Sequence, residues 1–291
     1  MHARTYIQTA LILLWGAGCA TTSEQSPAEA AGASSAAGHS HAHAMYPLDS
    51  IPWAPVNKDA PQGLLMHRLA GDPKTGPSKA LVKIPAGFRI PLHFHNADFI
   101  GITLSEGMAH GRTVETAQTL PAGSHWYQPA SETHVDSCES EQDCLLLVLF
   151  KGPLNTNFVD TPAEGQKAGT MTPFNEIDWK LIRPDMEKGP RWTILHGNPK
   201  EGPFDAIISV PGGFETNIHT HSHPFVGAIV AGNHHRGPDA ENLVSLTRGG
   251  VWSEKPDHPH MEKCVSEEGC IFVASFDGPL DQKAVEIKMN P

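Results

Sequence analysis

The chain spells out one pattern twice. PAGFRIPLHFHNADFIG starts at Pro85 and PGGFETNIHTHSHPFVG at Pro211. Each places His-x-His six residues after a glycine, and each ends Phe-x-Gly. His93 recurs as His219, an offset of 126 residues, and that offset holds far outside these stretches. It relates Trp53 to Trp179, Gly63 to Gly189 and Leu69 to Leu195, and GDPKTGP at Gly71 becomes GNPKEGP at Gly197. Downstream it pairs Gly111 with Gly237, Gly123 with Gly249, Trp126 with Trp252, His134 with His260, Cys138 with Cys264 and Cys144 with Cys270. No gap is needed, and chance does not hold Gly, Trp, His and Cys in one register over such a length. The chain must therefore fold as one unit used twice.

At 291 residues there is room for two domains with a core each. The repeat divides the chain into residues 51–171 and 172–291, joined around TPAEGQKAGTMTP. The 25 Pro and 27 Gly favour short elements linked by turns. ALVKIPAGFRIPLHFH reads as a short strand, a turn and an alternating strand, and FIGITL, CLLLVLF and CIFVASF read as apolar strands. No segment carries the period of a long amphipathic helix, so the expected class is all-β.

Residues 1–19, MHARTYIQTALILLWGAGC, combine Arg4, an apolar run from Ile7 to Trp15 and small residues up to Cys19. The run is too short to span a bilayer and reads as a signal peptide. Ala17-Gly18-Cys19 resembles a bacterial lipoprotein cleavage site, with Cys19 as the lipidated residue. The expected location is the periplasm or outer membrane, with membrane contact only through that lipid. Residues 20–50 are rich in Ala, Ser and Gly and read as a flexible tether, in which His39, His41 and His43 form a candidate metal-gathering tract. The remaining cysteines form two identically spaced pairs, CESEQDC and CVSEEGC. In an exported chain these read as disulfides Cys138–Cys144 and Cys264–Cys270, each contributing about 2 kcal/mol by loop closure. A cysteine metal site is the weaker alternative. A net charge of −11 disfavours a nucleic-acid partner.

Residues two apart on a strand face one side, so His93 and His95 point together, as do His219 and His221. A third ligand must come from another strand, and the repeat nominates His134 and His260. At these residues the chain resembles the cupin superfamily. Gly-x5-His-x-His from Gly87 and from Gly213 matches its first motif, and Gly-x5-Pro-x-Ser-x2-His from Gly123, with a variant before His260, matches its second. Two such units resemble a bicupin. The resemblance implies two tandem jelly-roll barrels. It also implies a divalent transition metal (Fe, Zn, Mn, Cu or Ni), bound by His93, His95 and His134 and by His219, His221 and His260.

Cupins commonly place a Glu three or four residues after the second His. Here Phe99 and Ile100 stand in the first unit and Phe225 and Val226 in the second. Asp98 falls one residue early, on the opposite face. The sequence thus reads as lacking the acid in both units, with Phe99 and Phe225 as pocket walls. A neutral three-His shell favours an anionic or enolate ligand. The second unit adds His223, a candidate fourth ligand that would close the shell, and His234 and His235, which read as a turn. Arg89 and Glu215 occupy matching places and read mainly as salt-bridge residues. No P-loop, dinucleotide fingerprint or nucleophile elbow is present. Two functions follow. One is an oxygenase- or lyase-type enzyme on a small organic molecule. The other is a non-catalytic lipoprotein that binds or senses metal or a small ligand. Homodimerisation through the sheets is a further expectation.

Overall fold

The computed structural model describes residues 43–285 apart from 59, 61, 62 and 163. Cys19, the signal segment 1–19 and most of the tether, with His39 and His41, lie outside the described residues. Among the described residues the only helical turns are the 3-10 turns Leu48–Ser50 and Phe174–Glu176; the rest is strand and loop. The all-β class holds.

Each repeat builds a barrel from two facing sheets. In the first, a seven-stranded sheet runs Thr170–Thr172, His125–Gln128, Phe99–Thr103, Cys144–Phe150, Ser78–Ile84, Leu65–Gly71 and Ala54–Pro55. Facing it, a five-stranded sheet runs Thr156–Phe158, Arg89–His95, His134–Cys138, Met108–Gly111 and Gln118–Leu120. The second repeat reproduces the large sheet at the same offset, from Ala44–Tyr46 to Lys180–Leu181. Its small sheet is broken into a three-stranded and a two-stranded piece, because the strand matching Arg89–His95 shortens to His219–Thr220.

The run CLLLVLF shows how the two barrels meet. Successive side chains on a strand alternate sides. Leu145, Leu147 and Leu149 enter a core shared with Ile207, Ala228, Val230, Val251 and Val273 of the second repeat. Cys144, Leu146, Val148 and Phe150 enter the interior of the first barrel. A strand buried on both faces reads as a continuous apolar run, which is why this segment has no polar face. The two large sheets thus pack face to face, and the described residues belong to one compact unit.

Two features cross that junction with pseudo-twofold symmetry. Ala44–Tyr46 pairs with Val251–Ser253 of the second repeat, whereas Thr170–Thr172, which precedes the second repeat, pairs with His125–Tyr127 of the first. Each repeat so receives the edge strand that precedes its neighbour. Residues 43–50, which composition assigns to the tether, are therefore part of the fold: pairing across the junction orders a segment with little local propensity. Lys151 Nζ meets Asp205 Oδ2 at 2.5 Å and Lys79 Nζ meets Asp277 Oδ1 at 2.5 Å. Both lysines come from the first repeat and both acids from the second, at mutually matched positions.

The disulfides Cys138–Cys144 and Cys264–Cys270 are formed, with Cα–Cα separations of 5.5 and 5.8 Å. The cysteine metal alternative falls with them.

Candidate metal centre

The turn at Gly87 has φ +68°, and that at Gly213 has φ +76°. A β-carbon there would meet nothing within 4 Å, so backbone conformation alone selects glycine. The chain then enters Arg89–His95, whose pleat sends His93 and His95 inward. His134, on the antiparallel neighbour, sits opposite His93. The Phe-x-Gly ending has a separate cause. A β-carbon on Gly101 would lie 2.3 Å from the Trp126 ring, and one on Gly227 would lie 2.0 Å from Trp252. The glycine makes room for the indole that floors each barrel.

One ring nitrogen from each of His93, His95 and His134 lies within 4.8 Å of the others, and His219, His221 and His260 form the matching group. All six are buried. Their Nδ1 atoms all meet backbone carbonyls. His93 meets Pro91 O at 2.8 Å, His95 meets Asn155 O at 3.0 Å and His134 meets Glu132 O at 3.2 Å. His219 meets Asn217 O at 2.8 Å, His260 meets His258 O at 3.0 Å, and His221 meets Asp281 O. A carbonyl only accepts, so each Nδ1 carries the proton and each Nε2 keeps its lone pair. The Nε2 atoms of His134 and His260 are buried with no hydrogen-bond partner. Burial also keeps the rings neutral: desolvation, then neighbouring imidazoles, push His95 and His221 down to about 4. Converging, uncharged Nε2 lone pairs with fixed tautomers are the donor set a divalent transition metal requires, so the residues fit the ion the fold implies.

The motif position carries no acid, but a carboxylate from another strand lies beside the group. Asp136, two residues beyond His134 on the same strand face, brings Oδ2 to 3.6 Å from His134 Nε2 and 3.9 Å from His93 Nε2. His110 Nδ1 holds its other oxygen at 2.8 Å, and the His110 ring stacks on Trp126 at 4.2 Å. Burial raises the Asp136 pKa, but the His110 hydrogen bond and the surrounding imidazoles outweigh it and keep the carboxyl well below its usual range. The sequence signal was the His-x-Asp parity of a strand, hidden because the acid comes from a different strand than the motif's. Asp98 does face away: it accepts from Tyr127 Oη at 2.5 Å and Ala130 N at 2.7 Å.

The second barrel differs in charge. Glu262 stands where Asp136 does, and Arg236 replaces His110. Arg236 is fully buried, bonded to Glu262 Oε1 and, at 3.2 Å, to Glu254 Oε2. Its guanidinium lies 5.0 Å from the Phe225 ring centre and 5.1 Å from that of Trp252. Desolvation lowers its pKa to about 10, so it stays charged at neutral pH. The acid of the second barrel is thereby bound to a fixed cation.

His223 does not join the second group. The strand ends at Thr220, the chain bends, and His223 Nδ1 pairs with Ser222 Oγ at 3.1 Å, its ring against Gly278. His234 and His235 lie on the strand His234–Gly237 rather than a turn, with His234 buried against Trp252. Arg89 is exposed, and Glu215 pairs with Lys263 at 3.1 Å.

A cavity of about 330 Å³ opens over the first group. Besides His93, His95 and Asp136 its lining is chiefly apolar, with Phe99, Phe150 and Phe158 nearest the imidazoles. The cavity over the second group is about 610 Å³ and adds Arg183, Glu215, Asn217, Glu262 and Gln282 to Phe225 and Phe276.

Solved structures share this architecture. A candidate dioxygenase from Nostoc punctiforme PCC 73102 superposes with a TM-score of 0.62 at 13% identity, over 86% of this chain and 88% of that one. Salicylate 1,2-dioxygenase from Pseudoaminobacter salicylatoxidans gives 0.54 at 11% identity, over 81% and 84%. An oxalate decarboxylase from Lactobacillus farciminis, solved as a formate complex, gives 0.51 at 14% identity, over 83% and 88%. Comparison with curated proteins gives no match. Two jelly-roll barrels in tandem, each with a converging histidine trio, define the class by fold: a bicupin-type architecture. By sequence, the chain belongs to the family described as Domain of unknown function (DUF4437), whose model matches residues 53–283.

Proposed function

We propose that the protein is a metal-dependent enzyme of oxygenase or lyase type, acting on a small organic carboxylate with an apolar body in the first barrel. The observation that carries this reading is the convergence of His93, His95 and His134 at the base of an apolar cavity, with Asp136 Oδ2 beside two of the three rings. When bound there, a divalent transition metal supplies Lewis-acid polarisation of the substrate and, for Fe, Mn or Cu, one-electron chemistry. Three neutral imidazoles and one carboxylate leave such an ion net positive, which favours an anionic ligand. Phe99 and Phe150 exclude water from the imidazole faces. Phe158, 63% exposed and 5.9 Å from the His93 ring, stands at the rim where a substrate enters. Asp136, tied to His110, holds its negative charge beside the Nε2 atoms. The likeness to folds solved with gentisate and formate makes small carboxylates the first probes.

The second barrel, with its acid neutralised by Arg236, is a ligand-binding or structural partner in this reading. The leader and Cys19 would place the protein in the periplasm or outer membrane, anchored by lipid. The test is elemental analysis of residues 39–291 made in an oxidising compartment, with oxygen uptake and product formation measured over a panel of aromatic and aliphatic carboxylates. Redox-active metal and turnover, both lost in His93→Ala and kept in His219→Ala, support the reading. Zinc alone, held by the second barrel and without turnover, would replace it with the binding or sensing lipoprotein.

A further inference from the structure

We propose that His43, Glu254 and His258 form a third metal site, separate from the barrel centres, which takes a zinc-class divalent cation and fastens the first ordered strand to the second barrel. His43 Nδ1 and His258 Nδ1 each lie 2.8 Å from the same oxygen, Glu254 Oε1. The two imidazoles stack at 4.0 Å with 28° between planes, so both Nδ1 atoms address one point. Glu254 is 1% exposed, whereas His43 and His258 keep 27% and 21% exposure, which leaves an ion a path from solvent. Two imidazoles and a carboxylate with room for water is a donor set for zinc.

Three observations separate this group from an ordinary hydrogen-bonded corner. First, one carboxylate oxygen receives both nitrogens, and His258 Nδ1 is buried without a well-directed hydrogen bond, so the trio is incompletely satisfied as it stands. A cation among the three atoms would satisfy all of them. Second, the carboxylate is already oriented: its other oxygen is bonded to Arg236 Nη2 at 3.2 Å, which turns Oε1 toward the histidines. Arg236, Glu254 and Glu262 together carry a net negative charge, so the guanidinium does not cancel the attraction for a cation. Third, the matched corner of the first repeat holds Gly169, Gln128 and Glu132. There Gly169 N and Gln128 Nε2 donate to Glu132 Oε2 at 2.7 and 3.1 Å and Arg112 Nε lies 3.5 Å from Oε1, so protein donors and a side-chain cation already occupy both oxygens of the acid. In the second repeat all three positions carry metal-ligating side chains, and the carboxylate has moved from the loop to the strand.

The site also joins segments far apart in sequence. His43 immediately precedes Ala44–Tyr46, whose pairing with Val251–Ser253 has only three residue pairs. Glu254 ends the partner strand, and His258 follows a turn in which Asp257 has φ +54°. A bound ion would tie this short strand to its partner by coordination as well as by backbone hydrogen bonds.

The experiment is zinc titration of the full chain and of His43→Ala and His258→Ala, each also in a His93→Ala/His219→Ala background. Cobalt(II) absorption serves as a direct readout of coordination. One zinc equivalent should survive the barrel substitutions and bind more than about tenfold more weakly once His43 or His258 is removed. Zinc should also slow cleavage of the segment around Ala44 by a non-metalloprotease, and His43→Ala should abolish that protection. His43→Gln, which keeps size and hydrogen bonding, guards against a packing defect in the alanine variants. Unchanged stoichiometry and affinity in both His43 variants and in His258→Ala would overturn the proposal. The barrel reading is unaffected by either result, because its ligands are altered separately.

Discussion

At the scale of single residues, Asp136 decides what the first centre can do. Three neutral imidazoles bind many divalent ions, and the carboxylate beside them would add a charge that favours retention of one. Asp136→Asn should weaken metal binding to the first barrel by roughly 10–100-fold, read by competition against a chelator, with little change in the second barrel. The glycines of Phe-x-Gly have an equally local role. Gly101→Ala drives a methyl into the Trp126 ring and should destabilise the protein by roughly 1–3 kcal/mol in chemical denaturation. Gly87→Ala meets no atom and should cost only the positive-φ penalty, about 1–2 kcal/mol.

At the scale of elements, the strands Cys144–Phe150 and Cys270–Phe276 are the backbone of each barrel, buried on both faces and flanked by antiparallel partners. Each disulfide ties the start of that strand to the end of the strand that brings in His134 or leads on from His260. Replacing Cys138 and Cys144 together by Ser should lower stability by roughly 2 kcal/mol, measured under non-reducing conditions against the parent. The exchanged edge strands matter differently. Removing residues up to Tyr46 leaves Val251–Glu254, still paired with Phe225–Ala228 on its other side, as an open sheet edge, and such an edge promotes association.

At the scale of the whole molecule, the joint core makes the two repeats one cooperative body. Leu147→Ala should cost roughly 2–5 kcal/mol and shift a single thermal transition rather than split it. The crossed pairs Lys151–Asp205 and Lys79–Asp277 add a direction to that junction. Pairing two first repeats would set lysine against lysine, so the charges favour association within one chain. Asp205→Lys with Asp277→Lys should destabilise the fold, and adding Lys79→Asp and Lys151→Asp should recover part of the loss in the same melting assay. Stability should also depend on pH. His95 and His221 are pushed down to about 4 by burial and by neighbouring imidazoles, whereas the unfolded chain protonates them near 6.5. Between those values the unfolded state binds more protons, so stability of the metal-free protein rises with pH and falls as pH drops from about 6.5 toward 4. Asp136, with its folded pKa depressed, adds stability above about 4 that is lost at lower pH. Bound metal should leave over the same acidic range, which elemental analysis after dialysis would show.

By itself the sequence determined the repeat, the all-β class, the cysteine pairing and the two histidine trios. These are legible because they depend on periods and offsets: two residues along a strand, 126 residues along the chain. Tertiary structure alone decided what depends on which strands become neighbours. Asp136 comes beside His93 only because two antiparallel strands pair with a register shift between His134 and Asp136. Arg236 reverses the character of the second barrel because the same position points inward there. His43 joins Glu254 and His258 because the first edge strand crosses to the other repeat. Parity says which side of its strand a residue faces; packing says what lies on that side.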